Sequence, residues 1–287
     1  MSRYQKENKI LFNRKKLRRF RDRAMTYDIP NFIYEHTAQD LSSRLAEINR
    51  DFNSILILTK NKNFISDNLL VRKIRDPLIV SPLSLSNKRA IMIEDEENLP
   101  FQDNSFDLIL SDLMLHTSNN LKTSLEKIHA LLKPDGLMLC SMFGSETLSE
   151  LKSCLLRAEG QLKEKVYPRI NPFADIRTAG DILQSSGFKL CVVDDTTIKV
   201  NSKDVNQLVE LIRSMGENNS INIDKPNISR NIWNKTSEFM KDITPEEDGV
   251  ISTFEILTLT GWKYHEGQPK PLKPGSAQIS LADFFDK

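Results

Sequence analysis

The sequence predicts an α/β protein built on a mostly parallel sheet. The first observation is that short apolar runs alternate with helical patterns along the chain. The second is that the run at 106–110 is apolar at nearly every position, which is typical of a strand covered on both faces of a parallel sheet. The third is the late segment 253–260, which alternates apolar and polar residues and predicts a final strand that enters an otherwise parallel sheet.

The clearest unit of this pattern runs from residue 106 to residue 143. The strand at 106–110 follows a polar turn at 102–105, and a helical pattern with apolar residues at Leu121, Leu125 and Ile128 comes next. The stretch 133–136, Lys-Pro-Asp-Gly, ends that helix, and a second strand is predicted at 137–143. Ligands of such sheets bind beyond the carboxyl ends of the strands. We therefore expect a crevice near His116 and Phe143.

The remaining elements follow from the same patterns. The polar stretch 217–229 predicts a mobile segment, either a lid or an ordinary surface loop. The other predicted elements are, in chain order, helices at 14–23 and 38–48 (with Thr37 as cap), strands at 54–58, 78–80 and 90–93, a helix through Leu148, Leu151 and Leu155, a helix at 175–183, a strand at 188–193 and a helix at 203–215.

Composition excludes several classes of protein. The chain has 287 residues, and 40 Lys and Arg against 39 Asp and Glu give a formal net charge of +1, so no global field indicates nucleic acid or membrane. Three cysteines without metal spacing and four scattered histidines predict neither disulfides nor a metal site. The sequence lacks a membrane-spanning run and a secretory signal. We therefore expect a cytoplasmic protein.

The opening helix carries local positive charge. Its cations at 14–23 surround Leu17 and Phe20, so it forms a basic amphipathic helix. Such a helix could bind RNA or an anionic membrane, or mimic a mitochondrial transit peptide. A solvated basic face is the alternative. We expect no nucleic-acid partner.

Several motifs together resemble a known family. LPF at 99–101, FDLILSDLMLH at 106–116 and LKPDG at 132–136 resemble the class I S-adenosylmethionine-dependent methyltransferases. MFGSETLSELKSCLLRAE at 142–159 and GWKYHEGQPKPLKPGSAQISLADFF at 261–285 resemble the complex I assembly factor group of this superfamily, which includes arginine hydroxylases, and the related biotin-pathway carboxyl methyltransferases. The arginine-rich opening helix also matches, so the resemblance covers nearly the whole chain. The resemblance to bacterial members implies a bacterial protein, with peripheral attachment to the inner membrane left open.

The resemblance implies a Rossmann-like class I methyltransferase fold. We expect a mostly parallel seven-stranded sheet with an antiparallel final strand and helices on both faces. The chain would form a single domain over 1–287. Within it, 1–50 would be a helical extension, 51–145 the cofactor half, and 146–287 the substrate-side helices and last strands.

The cofactor loop departs from the family pattern. The family has an acidic residue and alternate glycines after the first strand, whereas this chain has Ile57 and then Thr59, Asn61 and Asn63 at those positions. Glycine lets the backbone approach a ligand closely. After the second strand, Ser81 and Pro82 stand where a carboxylate would bond the ribose. Losing a charged hydrogen-bond partner costs about 1.5–3 kcal/mol, so S-adenosylmethionine should bind at least about one to two decades more weakly than in an intact relative.

Other parts of the cofactor pocket are retained. The resemblance places Asp95 near the adenine amino group and extends the candidate cofactor contacts to Glu96, Leu99 and Ser111. The alternative is that 94–97 is a solvated acidic turn. The resemblance thus implies S-adenosylmethionine as cofactor, while the altered loop predicts that it is bound weakly or not at all.

His116 is the candidate catalytic residue, because it closes the central strand at the crevice. The alternative is a partly buried histidine that bonds a neighbouring segment. A second candidate surface is the motif after the last strand, Trp262, Lys263, Tyr264 and His265, whose aromatic and cationic groups suit a protein segment or a carboxylate. These side chains could equally cover one face of the sheet.

Two functional hypotheses follow. One is an active enzyme, either a methyltransferase or a hydroxylase of a partner's arginine. The other is a degenerate member that keeps the fold and the partner surface, has lost its chemistry, and assists a respiratory complex subunit. The altered cofactor loop favours the second hypothesis, whereas Asp95, His116 and the well-matched later half favour the first.

Overall fold

The computed structural model describes residues 10–27, 32–61, 64, 74, 77–83, 90–93, 97–162, 165–243 and 248–269. Seven strands lie in one sheet in the order β3-β2-β1-β4-β5-β7-β6. The strands are β1 (Ile55–Thr59), β2 (Leu78–Ser81), β3 (Ala90–Met92), β4 (Phe106–Asp112), β5 (Leu132–Phe143), β6 (Lys189–Ser202) and β7 (Val250–Trp262). The described helices are α1 (Arg14–Ala24), α2 (Phe32–Glu47), α3 (Leu121–Leu131), α4 (Ser149–Leu162), α5 (Ile176–Ser185), α6 (Val205–Ser214) and α7 (Arg230–Asp242).

Strand directions confirm the predicted fold class. Strands β3, β2, β1, β4 and β5 pair in parallel, and β7 runs antiparallel to both β5 and β6. The sheet therefore has six strands in one direction and an antiparallel final strand. Parallel neighbours bring the carboxyl ends of β1 and β4 to the same edge, where Thr59 lies beside Asp112.

Both faces of the sheet are covered. Ile57 and Leu110 point to one face and pack in a cluster with α2, whereas Leu58 and Ile109 point to the other and pack in a cluster with α3 and α5. A third cluster joins α4, α6 and α7 beyond the end of β5, around Phe143. The central strands are apolar because neither of their faces meets water.

Helix boundaries follow local capping chemistry. Asn120 caps α3, Asp175 caps α5, Asp204 caps α6 and Ser229 caps α7, each by accepting a hydrogen bond from a backbone N–H in the first turn. The predicted cap at Thr37 is wrong, because α2 begins at Phe32 and Thr37 lies inside it.

Three further elements differ from the sequence prediction. β6 continues to Ser202 rather than ending near residue 193, because it pairs with β7 along its length. β5 begins at Leu132 and includes the Lys-Pro-Asp-Gly turn, with an irregular register against β4. α7 was not predicted.

The polar stretch 217–229 starts inside the protein rather than as a surface loop. Glu217 and Ser220 are buried, and Asn171 holds this stretch by donating to the carbonyl of Asn218 and accepting from the N–H of Ser220. Phe12 forms an antiparallel β-bridge with Ile221 of this stretch. The first part of this stretch is therefore packed against the N-terminal segment.

A buried ion pair anchors the chain that follows α4. Glu159 is fully buried and accepts hydrogen bonds from Arg169 Nε at 2.9 Å and Nη2 at 2.6 Å, and from the Tyr167 N–H at 2.8 Å. Arg169 Nη1 also donates to the carbonyl of Pro226 at 2.7 Å. This arginine therefore links α4 to two irregular segments.

We expect Glu159→Ala to lower the free energy of unfolding by about 3–5 kcal/mol, because it leaves the Arg169 guanidinium buried without its carboxylate. Urea denaturation measures this loss. Glu238→Ala is the matched control, since Glu238 pairs with Lys235 in an exposed ion pair, and such pairs contribute about 0–1 kcal/mol. Equal losses in the two variants would contradict a structural role for the buried pair.

Candidate functional site

The carboxyl ends of β1 and β4 meet at a buried carboxylate. Asp112 is fully buried and accepts hydrogen bonds from Thr37 Oγ1 at 2.7 Å, Ser141 Oγ at 3.1 Å and Thr59 Oγ1 at 3.3 Å. These hydroxyls come from α2, β5 and β1. Burial raises the pKa of Asp112 to about 6, and the hydroxyl hydrogen bonds and the nearby Lys60 ammonium oppose that rise.

A second buried cluster lies beside Asp112. Lys60 follows β1 directly, is 5% exposed, and forms an ion pair with Oε1 of Glu217. The other carboxylate oxygen of Glu217 lies 2.9 Å from Nε2 of His116. The Lys60 ammonium also lies 5.7 Å from the centre of the Tyr34 ring. We call Lys60, Glu217 and His116 the buried triad.

The charge state of His116 fixes the direction of its hydrogen bond. Burial lowers the pKa of His116 well below its usual value, and the Lys60 and Arg21 cations lower it further. The imidazole is therefore neutral near pH 7 and donates through Nε2 to the carboxylate of Glu217. The edges of Phe143 and Phe173 enclose the ring, with centroids 4.8 and 5.4 Å away. His116 is therefore buried and bonded to a neighbouring segment, as the alternative interpretation of the sequence has it. Its role as a catalytic residue stays a prediction.

Two features at the described strand ends differ from those of a usual nucleotide site. Backbone close to a nucleotide normally carries no side chain, yet at the end of β1 the Lys60 side chain turns inward to Glu217. A carboxylate normally bonds the ribose hydroxyls, yet β2 ends at Ser81, whose hydroxyl accepts a hydrogen bond from the N–H of Leu83 at 3.1 Å.

The predicted cofactor contacts are only partly described. Asp95 and Glu96 lie outside the described residues. Leu99 is buried in the cluster beneath α3, and the hydroxyl of Ser111 is buried within β4 beside the thiol of Cys140. Their role in cofactor binding stays a prediction.

The motif after β7 lies away from the triad. Trp262 pairs with Leu137 near the amino end of β5, whereas Phe143, which contacts His116, lies at the other end of that strand. Lys263 donates to the carbonyls of Ala130 and Leu132, so its ammonium caps the end of α3. Tyr264 is 52% exposed and His265 accepts a hydrogen bond from the N–H of Gly267. A partner role for this motif stays a prediction, at a surface separate from the crevice.

A cavity lies next to the buried triad, and Glu217 is part of its lining. Its volume is about 810 Å³, within the usual range for ligand pockets. We call it the helix-side cavity, because α1, α4, α6, α7 and the segments 169–173 and 217–228 line it. Phe143, Phe173, Trp233 and Phe254 provide an aromatic interior, and Glu217 belongs to both the cavity wall and the triad.

Sequence reasoning missed two residues of this site. Asp112 carries a usable signal, because it is the acidic end of a strand whose interior is otherwise largely apolar. Glu217 carries none, since it opens a polar stretch and meets its partners only through the fold. Among the described residues, no three His, Cys, Asp or Glu side chains are grouped as metal ligands would be.

We expect the ionisation of Asp112 to lower the free energy of unfolding as the pH rises. Its folded pKa of about 6 exceeds an unfolded value of about 3.9, so its stabilising contribution is full below about pH 4 and is lost as the pH rises through 6. The stability of Asp112→Asn relative to wild type should therefore rise by up to about 3 kcal/mol between pH 4 and pH 7. Urea denaturation at a series of pH values measures this difference, and a constant or falling difference would contradict it.

Comparisons with known proteins agree with the fold. The family model described as a methyltransferase domain matches residues 80–140 of this chain. The YcgJ protein of Bacillus subtilis superimposes with a TM-score of 0.54 over 80% of this chain and 99% of that one, at 11% identity, which supports the fold alone.

Two curated relatives are much closer in sequence. The arginine-hydroxylase NDUFAF5, mitochondrial, of Homo sapiens is 33% identical over 88% of this chain and 76% of its own length. The protein of the same name from Danio rerio is 32% identical over 95% of this chain and 89% of its own length.

These relatives overturn one expectation. The sequence led us to expect a bacterial cytoplasmic protein, and this is contradicted because the matching proteins are mitochondrial proteins of eukaryotes. In the part of the chain that the structure describes, every helix is too short or too polar to cross a bilayer. With a third of its residues identical along most of its length, this chain belongs to the NDUFAF5 arginine-hydroxylase family, within the class I methyltransferase superfamily.

Proposed function

We propose that this chain acts on or chaperones a protein partner through the helix-side cavity, and that it binds S-adenosylmethionine weakly or not at all. The observation that carries the proposal is the inward position of Lys60 at the end of β1, where it pairs with Glu217. A ligand in that crevice would have to displace a buried ammonium from its carboxylate, which costs several kcal/mol. The lost ribose carboxylate adds about 1.5–3 kcal/mol.

The cavity supports a protein partner rather than a nucleotide. It presents the Glu217 carboxylate, the side chains of Asn218 and Asn219, and the rings of Phe143 and Phe173. A carboxylate beside aromatic faces suits the planar guanidinium of arginine. Membership of an arginine-hydroxylase family makes an arginine-bearing segment the natural occupant. The sequence resemblance to complex I assembly factors makes a respiratory complex subunit the proposed client.

An active enzyme is the second candidate. It would be an S-adenosylmethionine-dependent methyltransferase or an arginine hydroxylase with an atypical loop. The raised pKa of Asp112 favours this candidate, because a carboxyl group that titrates at about 6 can exchange a proton near neutral pH.

We expect isothermal titration of the wild-type chain with S-adenosylhomocysteine to show no saturable binding in the micromolar range, because Lys60 occupies the crevice. The double variant Lys60→Gly with Glu217→Gln should bind at least about 10-fold more tightly, since it removes both the obstructing side chain and the carboxylate that would lose its partner. Lys122→Gly with Glu126→Gln is the matched control, because these residues form an exposed ion pair on α3, and it should gain nothing. A micromolar dissociation constant for the wild type would sink the proposal.

Mass spectrometry separates the two candidates. An arginine-bearing respiratory subunit is incubated in air with the chain, S-adenosylmethionine and a two-electron reductant, and we expect its mass to stay unchanged. A gain of one methyl group or one oxygen atom, absent when Asp112→Asn replaces the wild type, would establish the active enzyme instead.

A further inference from the structure

The mouth of the helix-side cavity carries more positive than negative charge. Four cations line it, namely Lys16, Arg169, Arg213 and Lys225, against the two carboxylates of Glu210 and Glu217. Two of these six groups are already neutralised inside the protein. Arg169 pairs with the buried Glu159, and Glu217 pairs with Lys60. The excess charge therefore comes from the remaining cations at the mouth.

Lys225 is held in place at this mouth. Its ammonium donates to the carbonyl of Pro168 at 3.1 Å and also to the side-chain oxygen of Asn219. Both acceptors are neutral, so they orient the ammonium without cancelling its charge. Burial, together with the nearby positive charges of Lys16 and Arg169, lowers the pKa of Lys225 to about 8. Such a shift marks a site where one more negative charge would be stabilising.

Lys16 is brought to the same mouth by the packing of α1. Asn13 caps this helix by accepting a hydrogen bond from the N–H of Lys16 at 3.0 Å, and its own N–H donates to the carbonyl of Ser220 at 2.8 Å. The N–H of Asn222 donates to the carbonyl of Leu11 at 2.8 Å. The first turn of α1 is therefore fixed against the segment that carries Lys225.

We propose that Lys16 and Lys225 form a carboxylate-binding subsite at the mouth of the helix-side cavity, which holds an acidic side chain of the protein segment that enters it. The inference rests on the proposed function, because it assumes that the cavity accepts a protein segment. Two ammonium groups in one cavity lining supply the positive charge that a carboxylate requires. The aromatic interior next to them, with Phe173, Trp233 and Phe254, accepts apolar side chains of the same segment.

The test compares two labelled peptides by fluorescence anisotropy with the full chain. One is the amidated hexapeptide Ala-Phe-Glu-Ala-Arg-Ala, which carries the arginine of the proposed occupant, and the other has glutamine in place of glutamate. A charged hydrogen bond contributes about 1.5–3 kcal/mol, so the glutamate peptide should bind about 10-fold more tightly. Lys16→Gln and Lys225→Gln should each remove most of that preference and leave the affinity for the glutamine peptide unchanged.

Two variants control for general charge and for the location of binding. Lys122→Gln removes the same charge from an exposed position of α3 outside the cavity, and it should leave the preference intact. Val209→Trp fills the cavity wall and should weaken the binding of both peptides. Thermal melting shows whether each variant is folded.

The possible failures are distinguishable. Equal affinities for the two peptides would overturn the subsite while leaving the cavity as a peptide site, and so would an effect of Lys122→Gln as large as that of Lys225→Gln. Displacement of the glutamate peptide by inorganic phosphate at concentrations where acetate has no effect would also overturn it, in favour of a phosphate site. If neither peptide binds, the subsite and the cavity's proposed role in protein binding both fail.

Discussion

The structure depends on one carboxylate that lies between two nitrogen-bearing side chains in the interior. A buried charge is tolerated only when opposite charge and hydrogen bonds surround it, and Glu217 obtains both from Lys60 and His116. This arrangement joins the loop after β1, the turn after β4 and the segment after α6. It draws residues 217–222 over the strand ends, and that segment in turn seats α1 through the backbone bonds of Leu11 and Asn13. The inward position of Lys60 and the position of the N-terminal helix thus have a common cause.

The same arrangement shows which side chains this methyltransferase fold carries at its strand ends. A fold specifies where ligands can bind, and the side chains at that place decide what happens there. Here the sheet retains the order and directions of its strands, while the end of β1 carries an inward lysine and β2 ends in a serine. Fold similarity at 11% identity to YcgJ therefore carries no information about the cofactor.

Local chemistry made most of the fold predictable. The apolar runs of β1 and β4 and the polar cap of α5 are all visible within a few residues of sequence. The site was less predictable because its contacts join distant residues. His116 and Glu217 are 101 residues apart, and no local pattern distinguishes Glu217 from the solvated residues that follow it. Lys263 is a case in which a local pattern gave no sign of a contact made by the fold. Its aromatic neighbours suggested a partner surface, and in the structure its ammonium caps the end of α3.

Glu217 also couples the crevice to the cavity, because it is part of both. Its two oxygens already bond Lys60 and His116, so a cation that reached it from the cavity would have to share them. His116 is neutral, and losing its hydrogen bond would leave one buried donor unpaired, at a cost of about 1–3 kcal/mol. Lys60 could not leave without stranding a buried ammonium, which costs several kcal/mol. A guanidinium that enters the cavity is therefore expected to bind the Glu217 oxygen that faces His116. The ion pair between Lys60 and Glu217 would stay intact, and the Lys60 side chain would still lie inward at the end of β1.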